Sequence, residues 1–95
     1  MDPQTSAPSE TILVVDDERF VRELCVEIIA AEGYRVLAAQ DADEGLRLAR
    51  QEEVGAILLD LMMPRMSGFD ALQILGQELP EIPVVVMTAH SSQSR

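Results

Sequence analysis

Acidic and hydroxyl side chains follow three of the four apolar runs in this 95-residue chain. Asp16 and Asp17 come directly after the first run, Asp60 ends another, and Thr88 lies just past a third. The carboxyl ends of parallel strands meet at one edge of a sheet, and ligands of open α/β sheets bind there. Three clustered carboxylates repel one another, so a hard divalent cation would neutralise them. Oxygen ligands without His or Cys favour Mg²⁺ or Mn²⁺ over zinc.

Each of these carboxylates also has a purely structural interpretation. Asp60 lies between Leu59 and Leu61, and a fully buried carboxylate with no task there would cost several kcal/mol. It could instead cap the turn that follows. Either Asp16 or Asp17 could be the N-cap of the first helix, but capping explains the adjacent pair less well. The pattern therefore favours an acidic site and leaves capping as the alternative.

The elements that must position these residues alternate between apolar strands and amphipathic helices. We predict four strands, over residues 12–15, 35–39, 56–59 and 84–87. We predict three helices, over residues 18–32, from Asp41 or Asp43 to residue 51, and over residues 69–79. The strands are continuously apolar, as is typical of strands buried on both faces. This order predicts a parallel α/β sheet with helices on both faces.

The first predicted helix carries one apolar stripe. Its members recur at helical spacing, and they are Phe20, Val21, Leu24, Cys25, Ile28 and Ile29. Such a stripe is typical of a helix that packs against a sheet. Gly33 follows at the position where helices commonly end in a left-handed conformation.

The charge balance limits the classes of partner. Seven basic residues, all arginine, stand against 17 acidic residues, and the net charge is −10. Because such a surface repels phosphate backbones, we expect no direct binding of nucleic acid. Cationic partners, metal ions or a basic protein surface suit it better.

The cellular setting is inferred from the cysteine count and from the N-terminus. Cys25 is the only cysteine and cannot form an internal disulfide, which fits a reducing compartment. The first ten residues show no signal-peptide pattern, and no apolar run approaches the ~18 residues that a membrane-spanning helix needs. We therefore expect a cytoplasmic location without membrane contact, a disordered tail over residues 1–10 and a single domain over residues 11–95.

Four segments, in this order, resemble the receiver domain of two-component response regulators. They are ILVVDDE at residues 12–18, LLDLMMP at 58–64, SG at 67–68 and VMTAH at 86–90. Their joint occurrence is highly specific, whereas a lone Asp-Asp pair would not be. The resemblance implies an incomplete, flavodoxin-like doubly wound parallel sheet with strand order 2-1-3-4, lacking the family's fifth strand and last helix.

The resemblance also implies roles for individual residues. Asp60 would accept a phosphoryl group from a phosphohistidine on a histidine kinase or phosphotransfer protein. Mg²⁺ would be held by Asp17 directly, by Asp16 through water, by Asp60 and by the backbone carbonyl of Met62. Thr88 would hydrogen-bond the phosphoryl group and couple it to a conformational switch. The chain would be a phosphoacceptor signalling domain that assists its own phosphorylation and dephosphorylation at most, and not an enzyme.

The sequence departs from the receiver pattern near its end. Receivers carry a lysine after the fifth strand that pairs with the phosphoryl group, and this chain contains no lysine. Without a fifth strand, the fourth strand becomes an exposed, β-branched edge. We therefore expect a homodimer, formed by pairing of fourth strands or by exchange of elements, and we expect Arg95 to be a cut in a longer protein.

Two further functions compete with the receiver interpretation. The chain could be a dimerisation or protein-interaction module with inefficient or no phosphorylation, as the missing lysine suggests. A flavodoxin-like binder of a small ligand ranks last, because the sequence has no Gly-rich phosphate loop.

Overall fold

The computed structural model describes residues 10–63 and 65–87. Strands and helices alternate along this part of the chain. The strands are β1 (Thr11–Val15), β2 (Arg35–Ala39), β3 (Ala56–Asp60) and β4 (Val84–Met87). The helices are α1 (Arg19–Ala31), α2 (Ala42–Gln51) and α3 (Gly68–Glu78). Every predicted element is present, and its ends differ from the predicted ends by one residue at most.

The described strands form one parallel sheet with the order β2-β1-β3-β4. This confirms the predicted topology, because β1 lies between β2 and β3 and the chain reverses its direction of winding at that point. In the register, Val15 pairs with both Ala39 and Leu59, so the ends of three strands are level. The loops that follow β1 and β3 therefore start side by side.

One face of the sheet is closely packed by α2 and α3. Leu13, Val15, Ile57 and Leu59 point to this face and are at most 2% exposed. They contact inward residues of the two helices, namely Ala42, Leu46, Ala49, Ala71 and Leu75. Gly45 lets α2 approach closely, since a Cβ there would lie 2.8 Å from a methyl group of Val15. This face contains the hydrophobic core.

The other face is covered by α1 and is looser than the sequence predicts. No residue of α1 is fully buried. Instead of one buried stripe, the apolar residues of α1 divide into a half-buried set (Val21, Cys25, Val26, Ile29) and an exposed set (Phe20, Leu24, Ile28). The expectation of one inward stripe was therefore wrong: adjacent pairs such as 24 and 25 lie about 100° apart on a helix, and only one of each pair faces the sheet.

Helix ends follow local side-chain chemistry. The Asp41 carboxylate accepts the amide N–H of Glu44 at 2.8 Å and caps α2. The Ser67 hydroxyl accepts the amide N–H of Asp70 at 3.3 Å and caps α3. Gly33, after α1, has φ of 100°, as predicted for a left-handed helix end. Of the expected tail, only Glu10 is described, and its carbonyl accepts the amide N–H of Arg35 at 3.0 Å.

Candidate functional site

Three carboxylates meet at the carboxyl edge of β1 and β3. One carboxylate oxygen from each of Asp16, Asp17 and Asp60 lies within 4.8 Å of the others. Asp16 and Asp60 are buried, at 2% and 6% exposure, whereas Asp17 is exposed. The parallel register brings them together, because Asp16 follows the last residue of β1 and Asp60 ends the neighbouring strand β3. The arrangement is a pocket with two buried acids at its base and a third at its rim.

Local hydrogen bonds fix the orientation of the two buried carboxylates. Oδ1 of Asp16 accepts the amide N–H of Glu18 at 2.9 Å. Oδ1 of Asp60 accepts the amide N–H of Met62 at 3.0 Å. Both bonds span two residues and stabilise the loop that leaves the strand, as Asx turns do. The bond of Asp60 fits the alternative that it caps the turn that follows. Neither Asp16 nor Asp17 is the N-cap of α1, which is Glu18.

The electrostatics of the pocket are unfavourable for the metal-free carboxylates. The pKa of Asp16 is raised from 3.8 to about 6, chiefly by burial and against the lowering effect of the Glu18 N–H. The negative charges of Asp60 and Asp17 and a side-chain hydrogen bond with Asp60 contribute to this rise. Desolvation and like charges thus act in the same direction. A cation among these oxygens would relieve both.

The loop after Asp60 is held close to α3 by a glycine. The Gly68 amide N–H donates to the Leu61 carbonyl at 3.2 Å. A Cβ on Gly68 would collide with the Asp60 carbonyl oxygen and with the Cα of Leu61. Only glycine therefore allows α3 to start this close to the Asp60 backbone.

A cleft of about 250 Å³ opens beside the carboxylates. It is lined by Asp17, Gln40, Asp41, Met63 and Arg65. Arg65 has φ of 64°, in the left-handed region that residues other than glycine seldom adopt. The cleft is a polar entrance that gives solvent and ligands access to Asp17.

Arg22 is a residue that the sequence reasoning missed. Its guanidinium Nη1 donates to the backbone carbonyl oxygen of Asp16 at 2.9 Å. A detectable signal was present: Arg22 is a charged residue four positions before Val26 and seven before Ile29, so it shares the inward face of α1.

The remaining predicted site residues are only partly described. Met62 follows Asp60 by two residues and contributes its amide N–H to the Asp60 carboxylate. Thr88 lies outside the described residues. Its neighbour Met87 pairs with Asp60 in the register, and the Met87 carbonyl accepts the amide N–H of Leu61 at 3.1 Å.

Within the described ranges, none of the three helices combines the length and the apolar character needed to cross a membrane.

Comparison with known proteins assigns the fold and the motifs to one family. A family model described as the response regulator receiver domain matches residues 12–95. The response regulator MprA of Mycolicibacterium vanbaalenii is 41% identical over 83 residues, which cover 87% of this chain and 36% of MprA. The chain thus spans about a third of the length of the curated relatives it matches.

Solved structures agree with the sequence match. The response regulator TrrA of Thermotoga maritima, in complex with Mg²⁺-BeF, superposes with a TM-score of 0.83 and 32% identity, covering 86% of this chain and 71% of TrrA. TrrA bound to the histidine kinase ThkA gives a TM-score of 0.81 and 31% identity, covering 90% and 75%. The sheet order, the acidic pocket and the matched segments all lead to one assignment: the chain belongs to the family of response regulator receiver domains.

Proposed function

We propose that this domain accepts a phosphoryl group on Asp60 in a Mg²⁺-dependent reaction and thereby switches an output domain or a partner. The observation that carries the proposal is the convergence of Asp16, Asp17 and Asp60 within 4.8 Å. In this proposal the chain is a phosphoacceptor and not an enzyme with a separate substrate. The proposal includes a reducing, cytoplasmic location, in keeping with the single thiol of Cys25.

The donor set suits Mg²⁺. All three side chains offer hard carboxylate oxygens, which this ion prefers, and the exposed Asp17 leaves room for the waters that Mg²⁺ usually keeps. The Met62 carbonyl is proposed as a further ligand. When bound, the ion would neutralise charge on the acceptor and on the transferring phosphoryl oxygens. The raised pKa of Asp16 supports this, because burial and the neighbouring carboxylates disfavour its charged form, which a bound cation would favour.

The chain's own residues supply the acceptor and its orientation. The Met62 N–H donates to Oδ1 of Asp60, and in this proposal the other carboxylate oxygen attacks the phosphorus of a phosphohistidine. An O–P bond to Asp60 forms while the P–N bond to the imidazole breaks, and the imidazole leaves with that electron pair. Thr88 is proposed to hydrogen-bond the new phosphoryl group, because it follows Met87, the register partner of Asp60.

A histidine kinase or a phosphotransfer protein is the proposed donor. TrrA, which resembles this chain, forms a complex with the histidine kinase ThkA. The exposed residues Phe20, Leu24 and Ile28 of α1 offer an apolar surface that begins three residues after Asp17. The net charge of −10 favours a donor with a basic contact surface.

Intact-mass measurement with a small phosphodonor tests the proposal. The wild-type chain with Mg²⁺ should gain the mass of one phosphoryl group, and Asp60→Asn should gain none. Asp43→Asn is the matched control, because Asp43 is an exposed aspartate in the first turn of α2 and is not part of the cluster of Asp16, Asp17 and Asp60. A wild-type chain that gains no mass although it binds Mg²⁺ would contradict the proposal.

Self-association of the 95-residue chain is the second candidate function. Among the described strands, β4 pairs only with β3, and its residues Val85 and Val86 are 59% and 45% exposed. In this candidate the chain is an interaction module with inefficient or no phosphorylation. Light scattering across a dilution series should give at least a dimer. A monomer at every concentration would exclude this candidate.

A further inference from the structure

We propose that Arg22 is a positioning residue that holds the loop after β1 so that the Asp16 carboxylate points into the acidic pocket. This inference rests on the proposed function, because it assigns Arg22 to the support of the proposed magnesium site. Arg22 is not proposed as a ligand of the ion. The observation behind it is the 2.9 Å hydrogen bond from the guanidinium of Arg22 to the backbone carbonyl of Asp16.

Arg22 differs in its contact from four other arginines of the described residues. Six arginines lie within the described residues, and four of them pair with carboxylates at 4.0 Å or less: Arg19, Arg35, Arg47 and Arg50. Those pairs are solvent-exposed or half-exposed and contribute little to stability. The Arg22 guanidinium is instead directed at a main-chain oxygen beside the buried acid. Arg22 therefore binds the backbone that carries the Asp16 carboxylate.

The Asp16 backbone is held on both sides by this bond and by the sheet. Its amide N–H donates to the Ala39 carbonyl at 3.1 Å, which continues the pairing of β1 with β2. Its carbonyl lies where the strand has ended, and a buried carbonyl there needs a donor. Arg22 is that donor, and a hydrogen bond from a charged group is about twice as strong as a neutral one. The peptide groups on either side of the Asp16 Cα are thereby fixed.

The backbone of Arg22 also closes the first turn of α1, where the loop after β1 ends. The Arg22 amide N–H donates to the Glu18 carbonyl at 2.9 Å, and the Glu18 N–H donates to Oδ1 of Asp16. Asp16, Glu18 and Arg22 therefore form a closed set of three hydrogen bonds. Loss of the guanidinium removes one bond of this set and loosens the backbone that carries the Asp16 carboxylate, which is then held by the Glu18 N–H.

The test compares Arg22→Gln and Arg22→Lys with Arg19→Gln, a control on the same helix whose guanidinium pairs with exposed Glu23. Two quantities are measured: amide hydrogen exchange at Glu18 in metal-free protein, and Mg²⁺ affinity by calorimetric titration. Arg22→Gln should speed exchange at Glu18 about 10-fold, as loss of one hydrogen bond to a charged group would. It should also weaken Mg²⁺ binding about 10-fold, as loss of a supporting partner of a metal ligand typically does. Arg22→Lys should fall between wild type and Arg22→Gln.

Several outcomes would overturn the inference. Unchanged Glu18 exchange in Arg22→Gln would do so, as would faster exchange with unaltered Mg²⁺ affinity. Equal effects in Arg19→Gln would also do so, because they would reflect only the loss of a positive charge. If Arg22→Gln does not fold, the same two measurements on Arg22→Lys decide the inference. A wild-type chain that binds no Mg²⁺ refutes the proposed function, and the exchange rates still decide whether Arg22 holds the loop.

Discussion

The two faces of the sheet are packed very differently. On the face under α2 and α3, inward strand residues such as Leu13 and Leu59 are at most 1% exposed. On the face under α1, Val14 is fully buried, but Ile12 and Leu58 are half-buried and Val85 is 59% exposed, and these last three residues line a cleft of about 250 Å³. Successive side chains of each strand point to opposite faces, so the same strands contribute to both. The difference in packing therefore comes from the helices that cover the two faces.

The hydrophobic core and the exposed apolar residues of α1 therefore lie on opposite sides of the sheet. The face under α2 and α3 contains the core, where removal of a methylene group leaves a cavity. The face under α1 holds the exposed Phe20, Leu24 and Ile28, and Asp60 shares its side of β3 with Leu58 by strand alternation. The exposed apolar residues of α1 and the buried Asp60 thus lie on the same side of the sheet, opposite the hydrophobic core.

The largest expected effect tests whether the core lies on one face only. Leu75→Ala should lower the free energy of unfolding by about 2–5 kcal/mol, because Leu75 is 4% exposed within the core. Leu24→Ala, the same change on α1 at 45% exposure, should stay within about 0.5 kcal/mol of wild type. Urea unfolding followed by circular dichroism measures both. Equal losses in the two variants would remove the distinction between the faces.

A glycine pair on α3 sharpens the comparison at the edge of the pocket. Gly68→Ala should lower the free energy of unfolding by about 1–3 kcal/mol, because its Cβ collides with the Asp60 backbone. Gly76→Ala, later on the same helix with nothing within 4 Å of the new Cβ, should raise it by about 0.5–1 kcal/mol. Thermal unfolding of the two variants measures the opposite signs. A stabilised Gly68→Ala chain would contradict the close approach of α3 to Asp60.

The pH dependence of stability tests the unfavourable burial of the acids. The pKa of Asp16 rises on folding from 3.8 to about 6, so its stabilising contribution is complete below the unfolded value and is lost as pH rises through about 6. Asp16→Asn should therefore become more stable relative to wild type between about pH 4 and about pH 7 in metal-free buffer. Urea unfolding at each pH measures this gap. A gap that is constant across the range would show that Asp16 titrates normally.

Surface ion pairs should give the smallest effect and should differ little between the faces. Arg50 and Glu78 join α2 to α3 at 2.9 Å, whereas Arg19 and Glu23 lie one turn apart on α1 at 3.0 Å. Double-mutant cycles should give coupling energies below about 1 kcal/mol for the first pair and about 0.3–0.5 kcal/mol for the second. A coupling of several kcal/mol at Arg50 would mean that this pair, rather than apolar packing, joins the two helices.

The sequence predicted the fold well because strand and helix signals are local. The apolar runs that end at Val15 and Leu59, and the cap at Asp41, can each be recognised from a few neighbouring residues. The convergence of Asp16 with Asp60 could also be predicted, because parallel strands place their carboxyl ends at one edge.

Other features required coordinates because they depend on contacts between distant parts of the chain. The division of the α1 stripe into exposed Leu24 and half-buried Cys25 depends on how α1 is rotated against the sheet. The bond from Arg22 to the Asp16 carbonyl depends on a side-chain conformation that spacing does not determine. The raised pKa of Asp16 depends on burial, which the apolar neighbours suggest without fixing its degree.

The parallel direction of the four described strands has a practical consequence for protein engineering. Every loop that contributes to the acidic pocket leaves a strand at its carboxyl end, so the returning segments 32–34, 52–55 and 79–83 lie at the opposite edge. A fluorescent label or a short affinity peptide inserted after Gly33 would sit a full strand length away from Asp60. Such a reporter could follow folding or assembly without contacting the acidic pocket.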